Sequence, residues 1–184
     1  MQHIRSDCVT IMPTEDDRLV FDQSRTVSWA SMAPFHPRMA KMPGRDVLEA
    51  IQAGLLAPPP LARVIGFQIV AVGEGQAEFA LEPRGDLENL AGTLHGGVAA
   101  LLLDNALGAA VQSLLPAGAR SATLNLNVSY LRGLTVRSGT ITAQGRVVRL
   151  TRSAAFVEGA VTNSQGEVCA QAVATFAVSY PEET

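Results

Sequence analysis

From Gly97 to Leu115 the chain is apolar at nearly every position, and the pattern changes period on either side of this run. A stretch this evenly apolar is not a surface helix with one buried stripe, so it reads as a helix that other elements must surround. Four segments of strand character follow it: SATLNLNVSYLR, GTITAQGRVVRL, SAAFVEGAVTN and EVCAQAVATFAVSY. The first alternates, which predicts Thr123, Asn125, Asn127 and Ser129 on one face and Leu124, Leu126, Val128 and Tyr130 on the other. Asn163-Ser164-Gln165-Gly166 reads as the turn between the last two strands.

Upstream of the run, GFQIVAVGEG and QAEFALEP read as a hairpin closed at Gly73-Glu74-Gly75. Before them, Asp46 is expected to cap a helix over VLEAIQAGLL. Its Val47, Leu48, Ile51 and Leu55 form an apolar stripe, and Pro58-Pro59-Pro60 would stop it. The order is thus a short helix, two strands, a long helix and four strands. The lack of strand–helix alternation argues against a doubly wound α/β fold. The pattern predicts an α+β chain whose antiparallel sheet of about five to six strands wraps one long central helix, with a short helix near the N-terminus.

Residues 1–45 mix charges, prolines and Met32, Met39 and Met42 without a sustained period, and read as a partly flexible N-terminal arm. Residues 46–184 read as a single domain. The 184-residue chain is 47% hydrophobic and only 5% aromatic, so Ala, Val and Leu must build its core. Its net charge of −3 argues against nucleic acid or an anionic membrane as partner. Cys8 and Cys169 lack metal-ligand spacing and are too few for a disulfide framework, which fits the cytoplasm. The opening MQHIRSDCVTIMPTEDD has no continuous apolar segment of the secretory type. The apolar run contains Asp104, Asn105 and Gln112, and an aspartate at a membrane helix centre costs about 2.5–3.5 kcal/mol, so a buried helix of a soluble domain is the better reading.

Asp104 is the residue that needs explaining. His95-Gly96-Gly97 opens the run, and glycines there leave the first backbone N–H groups of the helix unobstructed at the positive end of its dipole. Such an end suits a phosphate, a carboxylate or a developing oxyanion. The glycines could equally serve close packing, and His95 could simply bond a backbone carbonyl. Asp104 follows Gly97 by seven residues, about 10 Å along a helix, so it cannot reach a group held at its own helix's N-terminus. A buried carboxylate must be paired, solvated or at work. It could cap a partner's backbone at an interface. Alternatively, two such helices packed antiparallel across a dimer axis would join the carboxylate of one to the glycine turn of the other, the equipment for hydrolysing an activated acyl group.

Asn89, the motif GTLHGG, then LLLDNALG and the strand ATLNLNVSYLRG together resemble the PaaI-type hotdog-fold acyl-CoA thioesterases of the 4-hydroxybenzoyl-CoA thioesterase-like superfamily. The likeness extends from about residue 27 to 180, through VSW, LLAPPPLARVIGF and VCAQAVATFAV. It implies a metal-independent thioesterase that turns acyl-CoA and water into free acid and CoA. There is no separate cofactor, since coenzyme A belongs to the substrate. The site would be shared within a homodimer, and two dimers would form a tetramer.

By the same resemblance, the N–H of Gly96, with Gly97 beside it, polarises the thioester carbonyl. Asp104 activates water or attacks directly, and Asn89 and His95 position the carbonyl, the water or the leaving sulfur. Thr123 orients the water. Leu90 departs from the pattern, standing where relatives commonly carry proline.

Between Asn105 and Val157 the chain carries six arginines and no acidic residue, among them Arg132 and Arg152, the preferred candidates for the phosphates of coenzyme A. Two other functions fit the same fold. A non-catalytic acyl-CoA-binding or sensing protein would not need Asp104 and Thr123. A hydratase or dehydratase needs acid–base groups beside the acyl α and β carbons, and Asp104 is not placed for that. No His/Cys cluster suggests zinc and no GxSxG suggests a serine hydrolase.

Overall fold

The computed structural model describes residues 24–34 and 36–181. Cys8, the opening MQHIRSDCVTIMPTEDD and the rest of residues 1–23 of the expected arm lie outside the described residues. The elements run α1 (His36–Met39), α2 (Gly44–Gln52), α3 (Pro60–Ile65), β1 (Phe67–Gly73), β2 (Gln76–Leu81), α4 (Gly96–Gln112), β3 (Arg120–Tyr130), β4 (Ile141–Leu150), β5 (Ala154–Thr162) and β6 (Val168–Ser179). A 3-10 turn at Gly85–Leu87 joins β2 to the loop before α4. The six strands form one antiparallel sheet in the order β1-β2-β4-β5-β6-β3. This is the sheet around a helix that the periodicity predicts.

Helix α4 is the core. Leu102, Leu103, Ala106, Leu107, Ala110 and Val111 have no exposed surface. Burying a leucine this fully contributes about 1.5–3 kcal/mol. The sheet closes on the helix because it is thin at the contact. A Cβ on Gly145 would stand 2.6 Å from the backbone carbonyl of Ala106, and its cross-strand partner Gly159 lies against Leu107. Two paired glycines thus let helix backbone rest directly on strand backbone.

Three local expectations fail near the N-terminus. Asp46 does not cap α2, which begins at Gly44 after Pro43 and has no side-chain cap. Docking sets that start: the Gly44 N–H donates to the Leu115 carbonyl at 2.9 Å, and a Cβ there would collide with Gln112. Asp46 instead sits in the first turn, where its charge still meets the positive end of the dipole. The helix also ends at Gln52, well before the prolines, so Leu55 falls outside it and is 80% exposed. The prolines begin a helix rather than stopping one. Pro59 precedes α3, Pro60 is its first residue, and Gly66 closes it at φ 94°.

Strand β3 departs from its alternation in a way that matters for function. Thr123 pairs with Phe176 and Asn125 with Thr175, so Leu124 is an extra residue, a β-bulge. Directly opposed residues share a face, and one inserted residue exchanges the faces beyond it. Thr123 therefore faces α4 beside buried Phe176, on the same side as Leu126, Val128 and Tyr130, and not with Asn125, Asn127 and Ser129. As the last strand of the sheet, β3 also leaves one edge of its backbone without a neighbouring strand among the described residues.

Candidate active site

The bulge delivers Thr123 to the carboxylate. Its hydroxyl donates to Asp104 Oδ1 at 2.9 Å. Asp104 is half-buried on α4, and among the described residues its other oxygen has no hydrogen-bond partner and no Arg or Lys is in ion-pair contact with it. The pair opens onto a cleft of about 700 Å³ between α4, the start of β3 and the helices α2 and α3. Leu48, Ile51, Phe67, Phe79 and Phe176 line it, and Arg63 stands in it as the other charged group. An acceptor oxygen thus lies in a cleft of mixed lining, where these apolar side chains stand beside Gln52, Gln68, Asn105 and Gln112.

The other end of α4 supplies donors. His95 is the N-cap residue, and its Nδ1 accepts the Gly97 N–H at 2.9 Å. An acceptor at Nδ1 leaves the ring proton of a neutral imidazole on Nε2. The Gly97 N–H is therefore spent on its own histidine, whereas the Gly96 N–H has no partner among the described residues. His95 and Gly97 line a second cleft, of about 320 Å³, with Val98, Leu101, Asp86 and Glu88.

Asn89 lies in the loop before this turn and holds that loop together. Its amide oxygen accepts from the N–H groups of Ala91 (2.8 Å) and Thr93 (3.3 Å), and its NH₂ donates to Thr93 Oγ1 at 2.9 Å. Leu90, at the tip, is fully exposed.

Gly96 and Asp104 are eight residues apart, about 12 Å along α4. Asp104 lines the larger cleft, whereas His95 and Gly97, on either side of Gly96, line the smaller, and neither cleft holds both Asp104 and His95.

The two preferred arginines are also separated. Arg132 pairs with Glu167 at 3.2 Å and donates its N–H to the Cys169 carbonyl at the start of β6. Arg152 precedes Ser153, whose carbonyl accepts from Val178 at the other end of β6. Nine residues of strand separate these points, about 30 Å, so one chain does not present both arginines to one phosphate group.

Tyr130 is the residue that sequence reasoning passed over. Its hydroxyl donates to the Gly96 carbonyl at 3.2 Å. The usable signal was its place at the end of the alternating strand, on the face of Leu126 and Val128 that turns to the helix. Cys169 is no nucleophile: it is buried, its thiol points to the Glu167 carbonyl, and burial pushes its pKa up. Among the described residues no group of three His, Cys, Asp or Glu converges to hold a metal ion, and no helix is long and apolar enough to cross a membrane.

The family model described as the thioesterase superfamily matches residues 91–170, which include the His95 turn, Asp104, Thr123 and Tyr130. A protein of Halobacterium salinarum, provisionally named an esterase, is 37% identical over 95 residues, covering 49% of this chain; the match spans only 61% of that relative's own length. Another, from Sulfurisphaera tokodaii and likewise named, is 31% identical over 111 residues, 60% of this chain and 80% of the relative. Among solved structures, a phenylacetic acid degradation-related protein of Ralstonia eutropha JMP134 superposes with a TM-score of 0.65 at 29% identity, over 71% of this chain and 98% of that one.

Proposed function

The chain belongs to the thioesterase superfamily and has the hotdog fold of its PaaI-like members, and from that premise we propose that it hydrolyses acyl-CoA thioesters at a site built from two copies of itself. One observation carries the proposal: the base and the donor turn stand about 12 Å apart along one helix, with Asp104 lining one cleft and His95 another.

A second copy supplies what is missing. The free edge of β3 is eleven residues long, with Leu124 and Tyr130 exposed on the strand and Leu131 exposed just beyond it, a surface that natural sheets pair or cover. Two such edges paired antiparallel about a two-fold axis at Asn127 oppose the bulge at Thr123–Leu124 to the partner's Tyr130. That register brings Asp104 to the partner's Gly96 and His95. Two such dimers make the tetramer, with the outer sheet face, where Phe156 and Val173 are exposed, as the surface available for it.

In the shared site, the acyl group lies in the cleft beside Asp104, against Leu48, Ile51, Phe79 and Phe176. The thioester oxygen accepts from the Gly96 N–H and from His95 Nε2–H, which face the negative charge that develops on that oxygen as water adds to the carbon. Thr123 occupies Oδ1 of Asp104, so the other oxygen takes the proton of the attacking water. The tetrahedral intermediate then collapses, the C–S bond breaks, and the CoA sulfur leaves with the proton that Asp104 had taken. Water and acyl-CoA go in; free acid and CoA thiol come out. No step uses a metal, and the reaction belongs in the cytoplasm. Asn89 acts through the loop it organises. Of the two preferred arginines, Arg152 is the one without an ion pair among the described residues and is the stronger candidate for the CoA phosphates.

Thiol release from a panel of acyl-CoAs, followed with a chromogenic thiol reagent, tests the reading. Turnover of at least one member is expected. Binding of several members without release from any would overturn hydrolysis in favour of an acyl-CoA sensor. Hydration of an unsaturated member, with no thiol released, would point to a hydratase.

A further inference from the structure

Tyr130 has no part in the hydrolysis as written, yet it touches the donor end directly. It is the last residue of β3, opposite Ala170, on the face that turns to the helix. Its ring carbons lie 3.3 Å from where a Gly96 Cβ would stand, so a side chain at 96 would press on the ring. Phenylalanine would pack there equally well. The hydroxyl must therefore be judged by its polar contact, the 3.2 Å bond to the Gly96 carbonyl.

That carbonyl and the Gly97 N–H belong to one peptide group. The same N–H donates to His95 Nδ1 at 2.9 Å. Phenol, peptide and imidazole are thus bonded in series, and each bond in such a chain polarises the next. Fixing the peptide plane fixes the donor aimed at Nδ1. A fixed donor at Nδ1 holds the ring proton on Nε2, the nitrogen left free to meet a ligand.

We propose that Tyr130 is a positioning residue for the carbonyl-binding end of the site, setting the tautomer and direction of His95 through the Gly96–Gly97 peptide. The proposal rests on the reading of His95 Nε2–H as a donor to the thioester oxygen.

The test compares the full-length chain with its Tyr130→Phe variant by two measurements. In ¹⁵N-histidine-labelled protein, long-range ¹H–¹⁵N spectra report the tautomer of each of the three histidines, with His95 assigned by its loss in His95→Gln. The wild type should show His95 as a single Nε2–H tautomer, and Tyr130→Phe a mixture. In thiol release, kcat should fall about fivefold to tenfold with KM within about twofold, because the lost bond acts on the reacting geometry and not on binding. Tyr130→Leu should reproduce both changes. Either an unchanged tautomer or an unchanged kcat in the folded variants overturns the proposal. A wild type that releases no thiol from any acyl-CoA refutes the hydrolysis instead, and the tautomer alone then decides the role of Tyr130.

Discussion

At its N-terminus, α4 offers donors: a Gly96 N–H without a partner among the described residues and an imidazole held with its proton outward. Eight residues on, the same helix offers an acceptor, a half-buried carboxylate whose one bonded oxygen takes a hydroxyl from β3. The donor end opens on a cleft shared with Asp86 and Glu88, and the acceptor end on a larger one lined in part by Leu48, Ile51, Phe67, Phe79 and Phe176. Acyl transfer needs both chemistries within about 3 Å of one carbon. On the proposed function, each end is therefore half of a site, and the complement of each is supplied by a second copy of the chain. β3 connects the two ends, with Thr123 on the acceptor and Tyr130 on the donor, and its unpaired edge is where a second chain can reverse their order.

Removing the base should have the largest effect. Asp104→Asn keeps the shape of the acceptor end and its bond to Thr123 but takes up no proton. The kcat for thiol release should fall about 10²-fold or more, with acyl-CoA affinity by calorimetry largely kept. Turnover at the wild-type rate would remove Asp104 from the chemistry.

Next comes the pairing of ends. In an equal mixture of Asp104→Asn and Gly96→Val subunits, random exchange makes half of the dimers hybrid. Each hybrid has one site in which both halves are intact, so activity should recover to about a quarter of wild type. Both variants alone should be nearly inactive. Hybrid dimers, verified by mass spectrometry, that remain inactive would show that each chain completes its own site.

The fold was largely legible from the chain, because burial period and turn residues report the same elements: all six strands and the long helix lie where the pattern puts them. What could not be read were the features decided by contact between distant segments. Asp46 looked like a cap because capping is local chemistry, but Gly44 begins α2 where it docks on Leu115 and Gln112. Pro60 looked like a stop, although proline fits the first turn of a helix as well as it ends one. The donor and acceptor ends were visible as HGG and a stranded aspartate. The bond from Gly97 to His95, the self-contained loop of Asn89 and the Arg132–Glu167 pair were not, because each depends on side-chain directions. The bulge at Leu124 was hidden by the very regularity of the strand, since polar and apolar residues continue to alternate straight through it.

That bulge gives the prediction of smallest effect. On a regular strand Thr123 would point with Asn125 away from the helix, and its replacement by valine would change little. Turned inward by Leu124, it instead donates to Asp104 Oδ1. Valine keeps the β-branched shape and the strand preference, so Thr123→Val removes the hydroxyl with little else. One net hydrogen bond is worth about 0.5–1.5 kcal/mol, which on the barrier amounts to a fall in kcat of roughly threefold to tenfold. KM and the melting temperature should stay near wild type, and Thr123→Ser should restore most of the rate. A valine variant as fast as wild type would mean that the acceptor end holds its carboxylate without help from the edge strand. The two ends of α4 would then differ in kind, with the donors set by β3 through Tyr130 and the base set by the helix alone.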